Sequence, residues 1–261
     1  MREAARLERD RDARAAAGLF LAWGLHLAEE ALETRAAIVR AFVDPALASR
    51  PHGAAILARL AALGVERLEV RPALLDGIAA GAGDQGLLLL IRRPTPGLDA
   101  LFAVRLALAV GAHGVQDPGN VGTLARSARA FGSAALLAFE ETADPFGSRA
   151  VRAGMGAHFR LPIATVGWKA GLDAARAGGM RIVAADLAGQ PIAEADLGGP
   201  LLLVVGGEGS GLPAALRERA DLRVRIPMAS GSESLNVQTA AAVLLYEIAR
   251  RRGFAGLDAR A

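Results

Sequence analysis

Pro200-Leu-Leu-Leu-Val-Val205 runs directly into Gly206-Gly-Glu-Gly-Ser-Gly-Leu212. Six residues without a charge predict a strand buried on both faces, and the glycine-rich turn behind it lets backbone approach a neighbour closely. Working outward, residues 106–111, 133–139, 180–186 and 222–226 read as further strands. Residues 120–131 and 167–177 read as helices, and 235–252 as the longest helix of the chain. Apolar strands alternating with helices predict a mostly parallel sheet covered on both faces, whose sites lie beyond the strand carboxyl ends.

Ahead of this block the pattern is looser. Helices are expected at 7–17, 26–34 and 54–63, and strands at 37–43, 67–70 and 86–91, which together make a small α/β unit. Pro94-Thr95-Pro96-Gly97 punctuates the chain as a linker would. The expected division is therefore a front domain over 1–97 and a larger one over 98–261.

A length of 261 residues suits one large or two modest domains, and a hydrophobic content of 52% against 22% charged describes a packed chain rather than a disordered one. The longest uncharged runs, 15–28 and 234–246, fall short of the roughly 20 residues of a membrane-spanning helix. Acids interleave with the arginines before the first run, which argues against a signal peptide. The absence of cysteine removes disulfides, thiolate nucleophiles and cysteine metal sites, and fits a cytoplasmic protein. All but one of the 30 basic residues are arginine, yet the net charge is only +3. Nucleic-acid binding, if present, must be local and must use the bidentate guanidinium fork rather than a polycationic field.

Three segments are unlike scaffold, and each follows an expected strand: Asp117-Pro-Gly-Asn-Val-Gly-Thr-Leu-Ala-Arg126, the glycine turn at 206–212, and Ile226-Pro-Met-Ala-Ser-Gly-Ser-Glu-Ser-Leu-Asn236. Singly, each has a bland reading. Asn120 can cap the helix behind it, Ser234 can cap the last helix with Asn236 in its first turn, and Arg126 and Arg129 can be a solvated face. The glycine spacing fits neither G-x-G-x-x-G nor a P-loop, so a dinucleotide site is not supported, and Glu208 is the single acid held in the turn. Of the scattered His26, His52, His113 and His158, only His113, just before the first segment, merits a test.

Together the three segments resemble the signature motifs of the SpoU (TrmH) family of RNA 2′-O-ribose methyltransferases in the SPOUT superfamily. Asn120 and Arg126 match the first motif, Val204-Val205-Gly206-Gly207-Glu208-Gly209-Ser210-Gly211 the second, and Ile226-Pro227-Met228 with Ser234-Leu235-Asn236 the third. A weaker resemblance of Gly18-Leu19-Phe20-Leu21, residues 25–32 and Gln85-Gly86 points to the small substrate-binding domain of many members.

The resemblance implies a trefoil-knotted α/β domain, an exception to the unknotted-chain rule. It implies an S-adenosylmethionine pocket lined by Gly206, Ile226 and Leu235, with Met228 close by. Arg126 would activate the ribose hydroxyl, with Asn120, Glu208, Ser234 and Asn236 organising the site and no metal required. It further implies a homodimer acting on RNA without a membrane role. The separate front domain favours ribosomal RNA of the 23S type, with a transfer-RNA enzyme of the same family or a catalytically silent RNA-binding assembly protein as alternatives.

Overall fold

The computed structural model describes residues 1–79, 86–102, 108–209, 211–231, 234–255 and 257. Residues 106 and 107 of the first expected strand of the large domain, Gln85, Ser210 and residues 232–233 lie outside them. The chain divides into two compact units, one of residues 1–94 with 146–160, the other of residues 95–145 with 161–261. Among the described residues no helix is long and apolar enough to cross a membrane.

The first unit holds a four-stranded sheet built from β1 (Leu19–Trp23), β2 (Ile38–Val43), β3 (Glu66–Glu69) and β4 (Leu87–Arg92), in the order β1-β4-β2-β3. Central β4 runs antiparallel to β1 and β2, and β3 pairs parallel to β2 at the edge. The uncharged run Leu87–Ile91 is buried throughout, as a strand covered on both faces requires. The edge strand Glu-Arg-Leu-Glu is exposed along its whole length, and such charge discourages pairing with another chain.

Helices α1 (Arg2–Arg9), α2 (Arg11–Ala17), α3 (Leu25–Glu33), α4 (Pro51–Ala62) and α5 (Pro72–Ala79) belong to the same unit. The single helix expected over 7–17 is thus two. Asp10 adopts an extended conformation and its carboxylate accepts from the Ala13 N–H at 3.0 Å, so it caps a new helix instead of continuing the old one. Gly18, at φ 62°, ends α2 in the left-handed region and releases the chain into β1, a strand hidden within an apolar run that has no period of its own.

The second unit holds six parallel strands: β5 (Leu108–His113), β6 (Leu136–Ala138), β7 (Ile163–Thr165), β8 (Arg181–Pro191), β9 (Leu201–Gly206) and β10 (Leu222–Arg225), ordered β10-β8-β9-β5-β6-β7. Every adjacent pair is parallel. Around it lie α6 (Leu98–Phe102), α7 (Pro118–Ala130), α9 (Trp168–Ala177), α10 (Ala214–Glu218) and the longest helix, α11 (Val237–Arg251); α8 (Ser148–Ala153) belongs to the first unit. Leu137, Phe139, Leu172, Ile182, Leu202 and Val204 centre one core. The Phe139 ring sits where Gly111 of β5 and Gly171 of α9 leave room, since a Cβ on either would come within 2.7 Å of it.

Strand β8 continues past the expected end at 186. Its pairing with β10 jumps from Ala184 opposite Arg223 to Gln190 opposite Val224, so residues 185–189 bulge out of the ladder at the carboxyl side of the sheet.

Candidate active site

Parallel pairing brings the carboxyl ends of β5, β9 and β10 to one edge of the sheet, and the three singled-out segments begin there. In the first, Asp117 caps α7, its Oδ1 accepting from the Asn120 N–H at 3.0 Å. Asn120 is therefore not the cap expected of it, because the proline at the first helical position moves the start upstream. Its side chain is left to donate from Nδ2 to Glu208 Oε1 at 3.0 Å. In the third segment Asn236, not Ser234, caps α11 through an Oδ1 that accepts from the Gln238 N–H at 3.0 Å. Asn236 Nδ2 donates to the same Glu208 Oε1 at 2.5 Å and lies 3.4 Å from Asn120 Oδ1. One carboxylate oxygen thus gathers amides from the first turns of two helices, where the helix dipoles also favour negative charge.

The glycine turn that carries Glu208 is shaped by contact. A Cβ on Gly206 would stand 2.3 Å from the Gly211 carbonyl carbon, and one on Gly207 would stand 1.8 Å from the Gly114 carbonyl oxygen. Gly207 donates its N–H to the His113 carbonyl at 2.8 Å and accepts from the Gly211 N–H at 3.2 Å, so the turn folds back on itself at the end of β5. Gly209 and Gly211 take φ of 89° and 62°, values that suit glycine.

Behind the turn lies a cavity of about 400 Å³. Gly206, Ile226, Met228 and Leu235 all line it, as do Glu208 and Ser234. Asn120 and Asn236 are outside the lining and reach it through Glu208. Arg126 is also outside it, exposed on α7 with no hydrogen-bond or ion-pair partner among the described residues. On the packed side of that helix Val121, Leu124, Ala125 and Ala128 are buried.

Sequence reasoning missed one wall. Residues 185–188, thrown out by the β8 bulge, line the cavity, and Asp186 among them is nearly buried between Arg217 at 3.8 Å and Arg223 at 3.5 Å. The Asp-Leu-Ala-Gly-Gln-Pro run that breaks the apolar strand was the available signal. Apolar side chains, side-chain-free glycine backbone and a few polar groups in a space of this size suit an adenosine-bearing ligand, and the two arginines compensate the acid in its wall.

Residues 107–246 match the sequence profile of the SpoU rRNA Methylase family, and residues 21–97 match that of the RNA 2′-O ribose methyltransferase substrate binding domain. Over 151 residues the chain is 37% identical to the 23S rRNA (guanosine(2553)-2′-O)-methyltransferase RlmP of Bacillus subtilis, covering 58% of this chain and 60% of that protein. Over 204 residues it is 35% identical to an uncharacterized tRNA/rRNA methyltransferase of Mycolicibacterium paratuberculosis, covering 75% and 66%. The chain thus spans about 60 to 66% of these relatives. Among solved structures, the SpoU methyltransferase AviRb from Streptomyces viridochromogenes in complex with AdoMet aligns with a TM-score of 0.87 at 28% identity, over 96% of this chain and 97% of that one. The AdoMet-bound rRNA methyltransferase from Sinorhizobium meliloti aligns at 0.84 and 30% identity, over 96% and 94%. With both profiles in register and the three motifs converging at one sheet edge, the chain belongs to the SpoU family of RNA methyltransferases.

Proposed function

We propose that the protein is an S-adenosylmethionine-dependent methyltransferase acting on a ribose 2′-hydroxyl of RNA, with ribosomal RNA of the 23S type as substrate. The observation that carries this reading is the Asn120–Glu208–Asn236 cluster at a glycine-walled cavity, contributed by three segments distant in sequence. The names of the aligned relatives support the choice of ribosomal RNA. Residues 1–97 would serve as the RNA-binding part and 98–261 as the methyltransferase part. Membership of the family also supports a trefoil knot in the second part.

Gly206, Ile226, Met228 and Leu235 would hold S-adenosylmethionine, which when bound supplies a methyl carbon made electrophilic by its sulfonium. The protein's remaining task is alignment and charge stabilisation. A guanidinium offers only donors, and that of Arg126, unpartnered among the described residues, is suited to contact the hydroxyl and stabilise the charge that grows on its oxygen as the proton leaves to a phosphate or water. Glu208, pinned by Asn120 and Asn236, fixes the glycine turn relative to α7 and α11, and Ser234 lines the same space.

On α11 Val243 and Tyr246 are exposed. Tyr246 packs on Phe131 and Phe254 with ring centroids 6.0 and 5.7 Å apart, and such an aromatic patch suits a homodimer interface. A cytoplasmic setting agrees with an RNA substrate. The test is incubation with methyl-labelled S-adenosylmethionine and separate unmodified ribosomal and transfer RNA pools, followed by mapping of ribose methylation. Label in ribosomal RNA is expected. Label only in transfer RNA would change the substrate, and label in neither would overturn the activity.

A further inference from the structure

A second cavity, of about 450 Å³, opens beyond the carboxyl ends of β5, β6 and β7 and is lined by His113, Glu140, Glu141, Trp168, Gly211 and Pro213. Gly211 lines the first cavity as well, so the glycine turn is a shared wall. Nothing in the reading above uses these side chains. His113 closes β5 with 6% of its surface exposed, and its imidazole has no hydrogen-bond partner among the described residues. Its ring nitrogens are not among the fully buried unpartnered atoms, so they open on the cavity and are available to a ligand there.

The carboxylates differ in availability. Glu140 Oε2 accepts from the Trp168 N–H at 2.7 Å, capping α9 and holding the indole at the cavity. Glu141 has no hydrogen-bond or ion-pair partner among the described residues, and it is held at φ 60°, a conformation rare outside glycine that costs on the order of 1 kcal/mol and concentrates at functional sites. The Gly114 N–H donates to the Glu140 carbonyl at 3.2 Å, so the ends of β5 and β6 are tied and the floor is rigid. The Lys169 ammonium and the Arg219 guanidinium lie over the Trp168 ring, 5.6 and 5.9 Å from its centre, and Arg219 is also paired with Asp173.

We propose that this cavity binds a guanine base of the RNA substrate. The assignment rests on the RNA methyltransferase reading and deepens it. An indole offers a stacking surface, and single-stranded RNA is read by splaying bases onto aromatic rings. An ionised carboxylate only accepts hydrogen bonds. Guanine alone presents two adjacent donors, N1–H and N2–H, on one edge, and they match the two oxygens of Glu141. Adenine and cytosine set one amino group beside a ring nitrogen whose lone pair would oppose the second oxygen. Uracil has one N–H between two carbonyls. His113, which can donate, complements guanine O6 or N7, and Lys169, with no ion pair among the described residues, suits a flanking phosphate.

Equilibrium dialysis of the full chain against GMP and IMP tests this, with saturating S-adenosylhomocysteine to fill the first cavity. The two nucleotides differ only in the N2 amine. GMP should bind about tenfold more tightly than IMP, AMP or CMP, as the loss of one hydrogen bond to a charged group predicts. Glu141→Gln should erase that preference while leaving S-adenosylhomocysteine affinity unchanged. Equal affinity for GMP and IMP, no saturable GMP binding, or a preference intact in Glu141→Gln would each overturn the assignment. The same preparation assayed for methyl transfer separates the two readings. RNA labelled without a GMP preference defeats only the guanine site, whereas a GMP preference with no RNA labelled removes RNA from the assignment.

Discussion

Replacing Gly206 by alanine puts one carbon where the turn has no space for it. The new Cβ would lie 2.3 Å from the Gly211 carbonyl carbon and 2.6 Å from the Leu212 nitrogen, all backbone, with no flexible side chain to yield. Ordinary contact needs the opposing strand of the turn to retreat by about an ångström, and overpacking of this kind costs about 1–3 kcal/mol. The Gly207–Gly211 bridge resists the movement, so displacement passes to Glu208 and to the cavity wall. In thermal unfolding the variant should melt about 3–10 °C below the parent, since a protein of this size loses about 2–4 °C per kcal/mol. By calorimetric titration its affinity for S-adenosylmethionine should fall about tenfold or more. Gly209→Ala is the control, because its Cβ meets nothing within 4 Å and only the backbone conformation, φ 89°, is penalised. Parent-like melting and cofactor affinity in Gly206→Ala would refute the argument that close backbone contact shapes this cavity.

Asn236→Ser keeps a good helix cap and removes the amide that donates to Glu208. Melting should shift by no more than about 2 °C, while kcat should fall about 10- to 100-fold, the value of a charge-assisted hydrogen bond. Glu247 is held down to about 2 from an ordinary 4.5 by hydrogen bonds from Arg250 and then Arg251, and a lowered folded-state pKa contributes stability that is complete above about pH 4.5 and lost as pH falls toward 2. Glu247→Gln should therefore flatten the acid limb of a melting-temperature profile in that window. The effect is about 1 kcal/mol after allowance for solvent around Arg250, and it should shrink in high salt. Tyr246→Arg places a charge in the exposed aromatic patch proposed as a homodimer interface; sedimentation should report a dimer for the parent and a monomer for the variant, and a parent that sediments as a monomer would overturn that interface.

Apolar runs made the second unit legible: β9, β5 and β8 read as continuous buried strands because a parallel sheet covered on both faces needs no alternation. The first unit was harder, since β1 hides in an alanine- and leucine-rich run and only Gly18, by taking a left-handed conformation, separates it from α2. Short β7, with three residues, carries too little pattern to be found. Within the site, Gly206, Ile226, Met228 and Leu235 were legible from their motifs and do line one cavity. The cap assignments were not, because Asp117 and Asn236 compete locally with Asn120 and Ser234, and hydrogen-bond geometry decides between them. Nor was the wall at 185–188, which depends on a register break with a strand some 40 residues further along.

Arg126 provides the most direct test of the proposed chemistry, because it is exposed, lies outside the cavity and, among the described residues, has no hydrogen-bond or ion-pair partner that truncation would disturb. Single-turnover methyl transfer from labelled S-adenosylmethionine to unmodified 23S ribosomal RNA should be lost in Arg126→Ala, with cofactor binding equal to the parent's. Transfer at the parental rate in that variant would contradict the account.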